Sequence, residues 1–387
     1  MGGRRWVPFV LLAPFQFIFG LVYSWGTIAP AIHTQSGWSH ATLDLTFSLT
    51  PLALLPAIIL SGYGLQRMTP KTMLALSLCC LTLGGSIGLI PGTPIPFMVG
   101  YSIVALGVGA GLSTASCIAL VSRLYPAHRG TLGGALLALY GMSSMASAPL
   151  FETLDNIFGW RLALTLIFAA YAAVGWLAWA YIPSTPINQA HQTTRLSLWH
   201  IVRHRRVILA IGIIVIATPL GSASLATIGS LCPDLGFSPR FAVLAVSMMA
   251  LGNGLGRLGF GMLADRRSAY FSRSAVLAVN AVAAMLLLLT LHGIGQRLFV
   301  AYPLMIGLAF GGMAGNLPAL AAHGIEQNHL ETVFGLLFGT FALASFLGPL
   351  ISAALGTQIA LEWLAFLAVI IWFLAALHKE VDTDFAV

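Results

Sequence analysis

Residues Phe241 to Ala264 read FAVLAVSMMALGNGLGRLGFGMLA, a stretch whose one charge is Arg257. The next charge, Asp265, stands eight residues on, about 12 Å along a helix. A hydrocarbon core of about 30 Å therefore leaves this guanidinium near the midplane. A charge there costs at least ~2.5–3.5 kcal/mol on insertion scales, so intramembrane arginines normally face a watery cavity and mark a ligand path. Two readings follow. Either Arg257 anchors an anion, or it caps a neighbouring helix end or pairs with backbone carbonyls inside a bundle.

Composition supports a membrane chain throughout. Of 387 residues, 58% are hydrophobic and 7% charged, against about 25% charged in a soluble domain. The 41 glycines suit helices that approach closely in lipid. The net charge of +7 lies in short loops, where basic residues set orientation, so no nucleic-acid partner is implied. Cys79, Cys80, Cys117 and Cys232 match no metal or redox spacing and read as packing residues. No catalytic motif, metal cluster or phosphate-binding loop is present, so neither an enzyme nor a cofactor is expected.

Twelve apolar stretches are long enough to span: 6–31, 43–65, 71–91, 96–122, 131–154, 160–182, 207–231, 240–264, 273–293, 297–322, 331–355 and 361–379. The fold class is thus an all-α membrane protein of twelve transmembrane helices. An even number places both termini on one side. With that side cytoplasmic, fourteen Lys and Arg residues lie inside, against Arg161, Arg240 and Arg297 outside. The expected location is the cell (inner) membrane, with both termini cytoplasmic. Residues 183–206 form the longest polar segment and separate six helices (1–182) from six (207–387). His200 and His204 raise the alternative of a regulatory or metal-binding loop, but a basic linker on the anionic inner leaflet is the commoner use.

The halves repeat at a nearly fixed offset. Gly37-Trp38-Ser39 is echoed by Gly236-Phe237-Ser238, 199 residues later, and GYGLQR (62–67) by GMLADR (261–266) at the same offset. Pro149 matches Pro349. Parallel six-helix halves of this kind place a substrate site between them near the midplane. Arg257 has Ile58 as its counterpart. A residue required by the repeat would occur twice, whereas one serving an asymmetric ligand occurs once.

Across nearly the whole chain these features resemble the major facilitator superfamily. Gly261, Asp265 and Arg266 match its G-x-x-x-D-R loop motif; the first-half copy has Gln66 where the aspartate is usual, followed by Arg67. The resemblance implies a conformational latch at Asp265 and Arg266, with a weaker counterpart around Arg67. Tyr23-Ser24-Trp25, Gly37-Trp38-Ser39, the segment Tyr125 to Gly130 and Asn253-Gly254-Leu255-Gly256-Arg257 resemble the oxalate/formate antiporter and monocarboxylate transporter branch. That likeness implies a substrate carboxylate on Arg257.

Two departures bear on the substrate. The oxalate exchanger has a lysine on helix 11; the matching place here is Phe341, and no lysine lies in that stretch. A dicarboxylate would leave one charge unpaired in a low-dielectric cavity, so a monocarboxylate is favoured. In proton-coupled carriers of the branch an aspartate stands one turn before the arginine; here it is Asn253, which carries no proton. Exchange or facilitated uptake of an anion fits this better than proton symport.

Further candidates for contact with substrate are Gln16 and Tyr23, seven apart and so on one face of an unbroken helix 1. Tyr140 of helix 5 is placed to cap the site. Asn316, in GGMAGN, either contacts substrate or satisfies a backbone carbonyl at a close helix crossing. Tyr23 is alternatively an interfacial aromatic. Gly107, Gly109 and Gly111 read as close-packing positions. The expected function is alternating-access transport of small organic anions by a monomer in the bilayer. The alternatives are a multidrug exporter of the same superfamily and a transport-dead membrane sensor. The topology has a direct test: a cysteine introduced at Gln192 should escape an impermeant thiol reagent added outside intact cells, and labelling there would reverse the orientation.

Overall fold

The computed structural model describes residues 6–184, 198–294, 296–324 and 330–377. Among them there are helices and turns but no strand. Most of the 183–206 linker, including Arg195, lies outside the described residues. Its end, Leu198–Arg203, is helical, with Ile201 buried.

The chain passes back and forth through α1 (Val7–Ser36), α2 (His40–Gly64), α3 (Pro70–Gly88), α4 (Pro94–Leu124), α5 (Pro126–Phe158) and α6 (Trp160–Tyr181). The second six are α7 (Arg205–Asp234), α8 (Pro239–Arg266), α9 (Ala269–Leu291), α10 (Tyr302–Gly324), α11 (Leu330–Leu355) and α12 (Thr357–Leu377). Eleven of these traverses are long and apolar enough to cross a bilayer by composition. The remaining one is α8, the glycine-rich helix that carries Arg257; its 28 residues give it about 42 Å of length.

The repeat seen in sequence reappears as local chemistry. Ser39 caps α2 by accepting a hydrogen bond from the Thr42 amide, and Ser238 caps α8 by accepting one from Phe241, both at 3.2 Å. Thr69 and Ser268 do the same for α3 and α9. Each of these pairs is 199 residues apart. The turn before each of the first two caps needs a left-handed residue, and Gly37 (φ 68°) and Gly236 (φ 81°) supply it. Gly107, Gly109 and Gly111 of α4 face Ala53, Phe19 and Ala57 closely, which makes them packing positions.

Among the helix crossings that join the halves, the two most extensive obey the same repeat. Gly134 of α5 faces the Arg257 carbonyl of α8, closer than a Cβ would allow. Gly335 of α11 faces the Ile58 carbonyl of α2, where a Cβ would lie 2.6 Å away. Arg257 and Ile58 thus occupy matching places in matching helix crossings. Nearer the termini, each crossing carries a polar clamp. Asp265 accepts hydrogen bonds from the backbone amides of Gly130 (2.9 Å) and Thr131 (2.6 Å), at the N-terminal end of an α5 segment. A carboxylate on such amides also meets the positive end of the helix dipole. In the other crossing Gln66 donates to the Thr332 hydroxyl at 2.9 Å, and that hydroxyl reaches the Gly62 carbonyl at 3.2 Å. Arg67 lies over the ring of Tyr63, its guanidinium carbon 5.6 Å from the centroid, on its own helix.

Past Ser143, α5 leaves the other half. Its segment Ser144–Phe158 packs on α6 and α1. The ties between α5 and α8 run from Gly130 with Asp265 to Met142 with Gly254. The halves are therefore closed at the end bearing the termini.

Hydrogen bonds to charged groups contribute about 1.5–3 kcal/mol each, so Asp265→Asn should loosen this end without unfolding the chain. Spin labels at Thr72→Cys and Ser274→Cys, in a background cleared of native cysteines, should show longer and broader distances in the Asp265→Asn protein. An unchanged distribution would remove Asp265 from the clamp.

Candidate functional site: a buried guanidinium between the halves

Three elements bring the site together. Glycines on α10 let α8 settle deeply against it: Gly311 faces the Asn253 carbonyl and Gly315 the Arg257 carbonyl, both closer than a Cβ tolerates. This fixes the register of Asn253 and Arg257. On the other side, Gly134 and Gly141 of α5 leave room for the arginine, and a Cβ at Gly141 would stand 3.4 Å from its Cζ. Finally, Gly20 of α1 lies against the Tyr140 carbonyl and Ser143, which draws Tyr23 towards the same point.

Arg257 is 1% exposed, and each of its three nitrogens donates one hydrogen bond. Its Nε donates to Asn253 Oδ1 at 3.0 Å, one turn earlier on α8. Nη1 donates to the Leu137 carbonyl of α5 at 2.7 Å, and Nη2 to the Tyr23 hydroxyl of α1 at 3.4 Å. Two of these three partners belong to the first half, so the side chain bridges the halves. Every partner is neutral. Asp265, the nearest carboxylate on α8, is committed to the Gly130 and Thr131 amides. The guanidinium therefore keeps an uncompensated positive charge in a dry place, and an anion would relieve it.

Tyr23 and Tyr140 meet edge to face, with centroids 5.6 Å apart and planes at 86°. Tyr140 is buried, whereas Tyr23 is 38% exposed, so Tyr23 stands where Arg257 is approached.

The structure brings Arg257, Asn253, Tyr23 and Tyr140 together, while Gln16 and Asn316 turn to other surroundings. Gln16 does not share a face with Tyr23. The α-helix stops at Phe19, and Gly20–Ser24 is a 3₁₀ helix whose every step turns roughly 20° further than an α step. Gln16, 0% exposed, lies in the packed interior of the first half beside the Cys117 thiol. Asn316 donates to the Ala269 carbonyl of α9 at 3.0 Å, which is the helix-bridging alternative raised by its sequence. Phe341 is 5% exposed and packs on Phe310 and Phe338, with centroids 5.2 and 6.0 Å away.

Sequence reading allowed for a backbone carbonyl beside Arg257 but did not single out that of Leu137. A backbone acceptor carries no residue-type signal, and only the small Gly134 and Gly141 flanking it hint that something approaches there. Arg257 thus makes three hydrogen bonds within the protein while its charge meets no carboxylate in any of them.

Comparison with known proteins agrees with this architecture. The oxalate:formate antiporter of Oxalobacter formigenes is 22% identical over 374 residues, covering 92% of this chain and 86% of its own length. A protein of Bacillus subtilis (strain 168) named as a niacin/nicotinamide transporter is 23% identical over 176 residues, or 46% of this chain and 44% of its own. Among solved structures, the E. coli fucose:proton symporter FucP superposes with a TM-score of 0.74 at 14% identity, covering 96% of this chain and 98% of that one. The family profile described as Major Facilitator Superfamily matches residues 10–349. With two six-helix halves closed on each other around a central crossing, and that profile spanning most of its length, the chain belongs to the Major Facilitator Superfamily and is a membrane transporter rather than an enzyme.

Proposed function

We propose that this transporter carries small organic monocarboxylates across the cell membrane by alternating access, with Arg257 as the anchor for the carboxylate. The supporting observation is the buried guanidinium held between the halves by neutral acceptors alone. A carboxylate entering past Tyr23 takes the long Nη2 bond first, because that is the weakest of the three, and the Tyr23 hydroxyl is free to donate to it. Bidentate capture then competes with the Leu137 carbonyl for Nη1. That competition links binding to the contact between α5 and α8, which must part when the termini end opens.

Asn253 fixes the guanidinium plane and carries no proton. Exchange of one anion for another accordingly fits better than proton symport, a reading in keeping with the name of the antiporter relative. Phe341 in place of a second cation favours one carboxylate over two. The carrier works as a monomer, with both termini cytoplasmic.

Reconstituted into proteoliposomes, the Arg257→Ala protein should lose carboxylate uptake by at least about 100-fold, the effect of one desolvated charged anchor worth about 3 kcal/mol. Arg257→Lys should rescue poorly, because an ammonium lacks the planar two-pronged donor. Undiminished uptake in Arg257→Ala would sink the proposed site.

Thermal unfolding without ligand gives a second check. Removing the arginine strands Asn253 and the Leu137 carbonyl, at about 1–3 kcal/mol for each unsatisfied group, and also removes a buried charge that was costly to hold. The loss of stability should therefore be small. A collapse of the fold would make Arg257 structural rather than functional. Phe341→Lys should move preference towards short dicarboxylates; retained monocarboxylate selectivity would separate that position from the site.

A further inference from the structure

A second place on this molecule is built to hold a ligand, and it lies on the membrane face of the first half. Between α3 and α6 runs an open groove of about 450 Å³. Its walls come from one face of each helix: Thr82, Gly85 and Ser86 on α3, with Thr165, Phe168 and Ala172 on α6. The spacings follow the helical repeat, so the groove runs along the helices for about 10–12 Å. It occupies the end of the bundle away from the termini, where α3 finishes and α6 begins.

Gly85 lets the Phe168 ring, which forms the floor, pack directly on the α3 backbone; a Cβ there would sit 2.9 Å from it. The polar residues in the walls do not make it polar. The Thr82 hydroxyl donates to the Leu78 carbonyl, Ser86 to Thr82 and Thr165 to Arg161, each at 2.8–2.9 Å. They present carbon outwards. Around the groove Leu83, Ile90, Leu162 and Leu166 are exposed, as lipid-facing residues are.

At the upper end stands a cation. Arg161 precedes Thr165 by one turn on the same face of α6. Its guanidinium lies 4.5 Å over the Trp160 ring, and its buried Nε has no hydrogen-bonding partner. Tryptophan and arginine together mark the headgroup level of a bilayer. An apolar slot of about 10–12 Å ending at the partly exposed Arg161 guanidinium fits the hydrocarbon depth of one leaflet, about 15 Å, capped by an anionic group. We infer that this groove is a binding site for one phospholipid of the leaflet away from the termini, its acyl chain between α3 and α6 and its phosphate on Arg161. The lipid fills the open slot over Phe168 and braces two peripheral helices of the first half.

Native mass spectrometry of the delipidated full-length protein, titrated with phosphatidylglycerol, tests this independently of transport. One phosphatidylglycerol per protein should survive activation, while diacylglycerol with the same chains should not. Arg161→Gln should lower phosphatidylglycerol occupancy at least tenfold. Gly85→Leu should fill the groove and abolish retention. Because that change forces Phe168 to move, Ser86→Phe provides a second block from the lipid side that leaves the interior intact. Equal retention by wild type, Arg161→Gln and Ser86→Phe overturns the site. Inorganic phosphate alone stabilising the protein as strongly as the lipid also overturns it, because the ligand would then be a free anion.

Discussion

The hydrogen bond from Arg257 to the Leu137 carbonyl, backed by a longer one to Tyr23, joins two halves that otherwise meet through glycine contacts, aliphatic surface and two polar clamps. Much of the central packing exists to make that bond possible. An arginine at 1% exposure is tolerable only if its donors are met, and meeting them requires α8 to lie unusually close to both α10 and α5. Gly311 and Gly315 allow the first approach, and Gly134 and Gly141 the second. The glycine content that marked the chain as a membrane bundle is thus concentrated, in part, around one cation.

Sequence alone was enough for the architecture, because hydropathy, basic loops and the 199-residue offset are properties of residue type and order. It also picked out Arg257, since a lone charge in an apolar run needs no neighbour to be conspicuous. Tyr23 and Tyr140 were legible for a weaker reason, as phenols on helices that flank the centre. Gln16 misled because periodicity assumes one kind of helix, and the 3₁₀ turn at Gly20–Ser24 rotates everything beyond it. Phe341 and Asn316 show a different limit. Their partners, Phe310 and the Ala269 carbonyl, are fixed by tertiary packing that no local pattern records.

The repeat is faithful where it concerns scaffold and the loop arginines Arg67 and Arg266, and broken at two charged positions. Caps, left-handed glycines and close helix crossings recur almost residue for residue. Arg257 faces Ile58 across the pseudo-symmetry, and Asp265 faces Gln66. Both departures put the ionic member in α8 and its loop. A single helix therefore carries both the central cation and the anion of the stronger clamp, separated by about 12 Å.

That uneven pair of clamps has a mechanical meaning. Asp265 holds its crossing through two charge-assisted bonds to a helix end, whereas Gln66 holds the other through one neutral bond to a hydroxyl. When the termini end comes apart, the seam between α2 and α11 yields at lower cost than the seam between α5 and α8. Parting the halves at this end is therefore an uneven task, lighter beside Thr332 than beside Asp265.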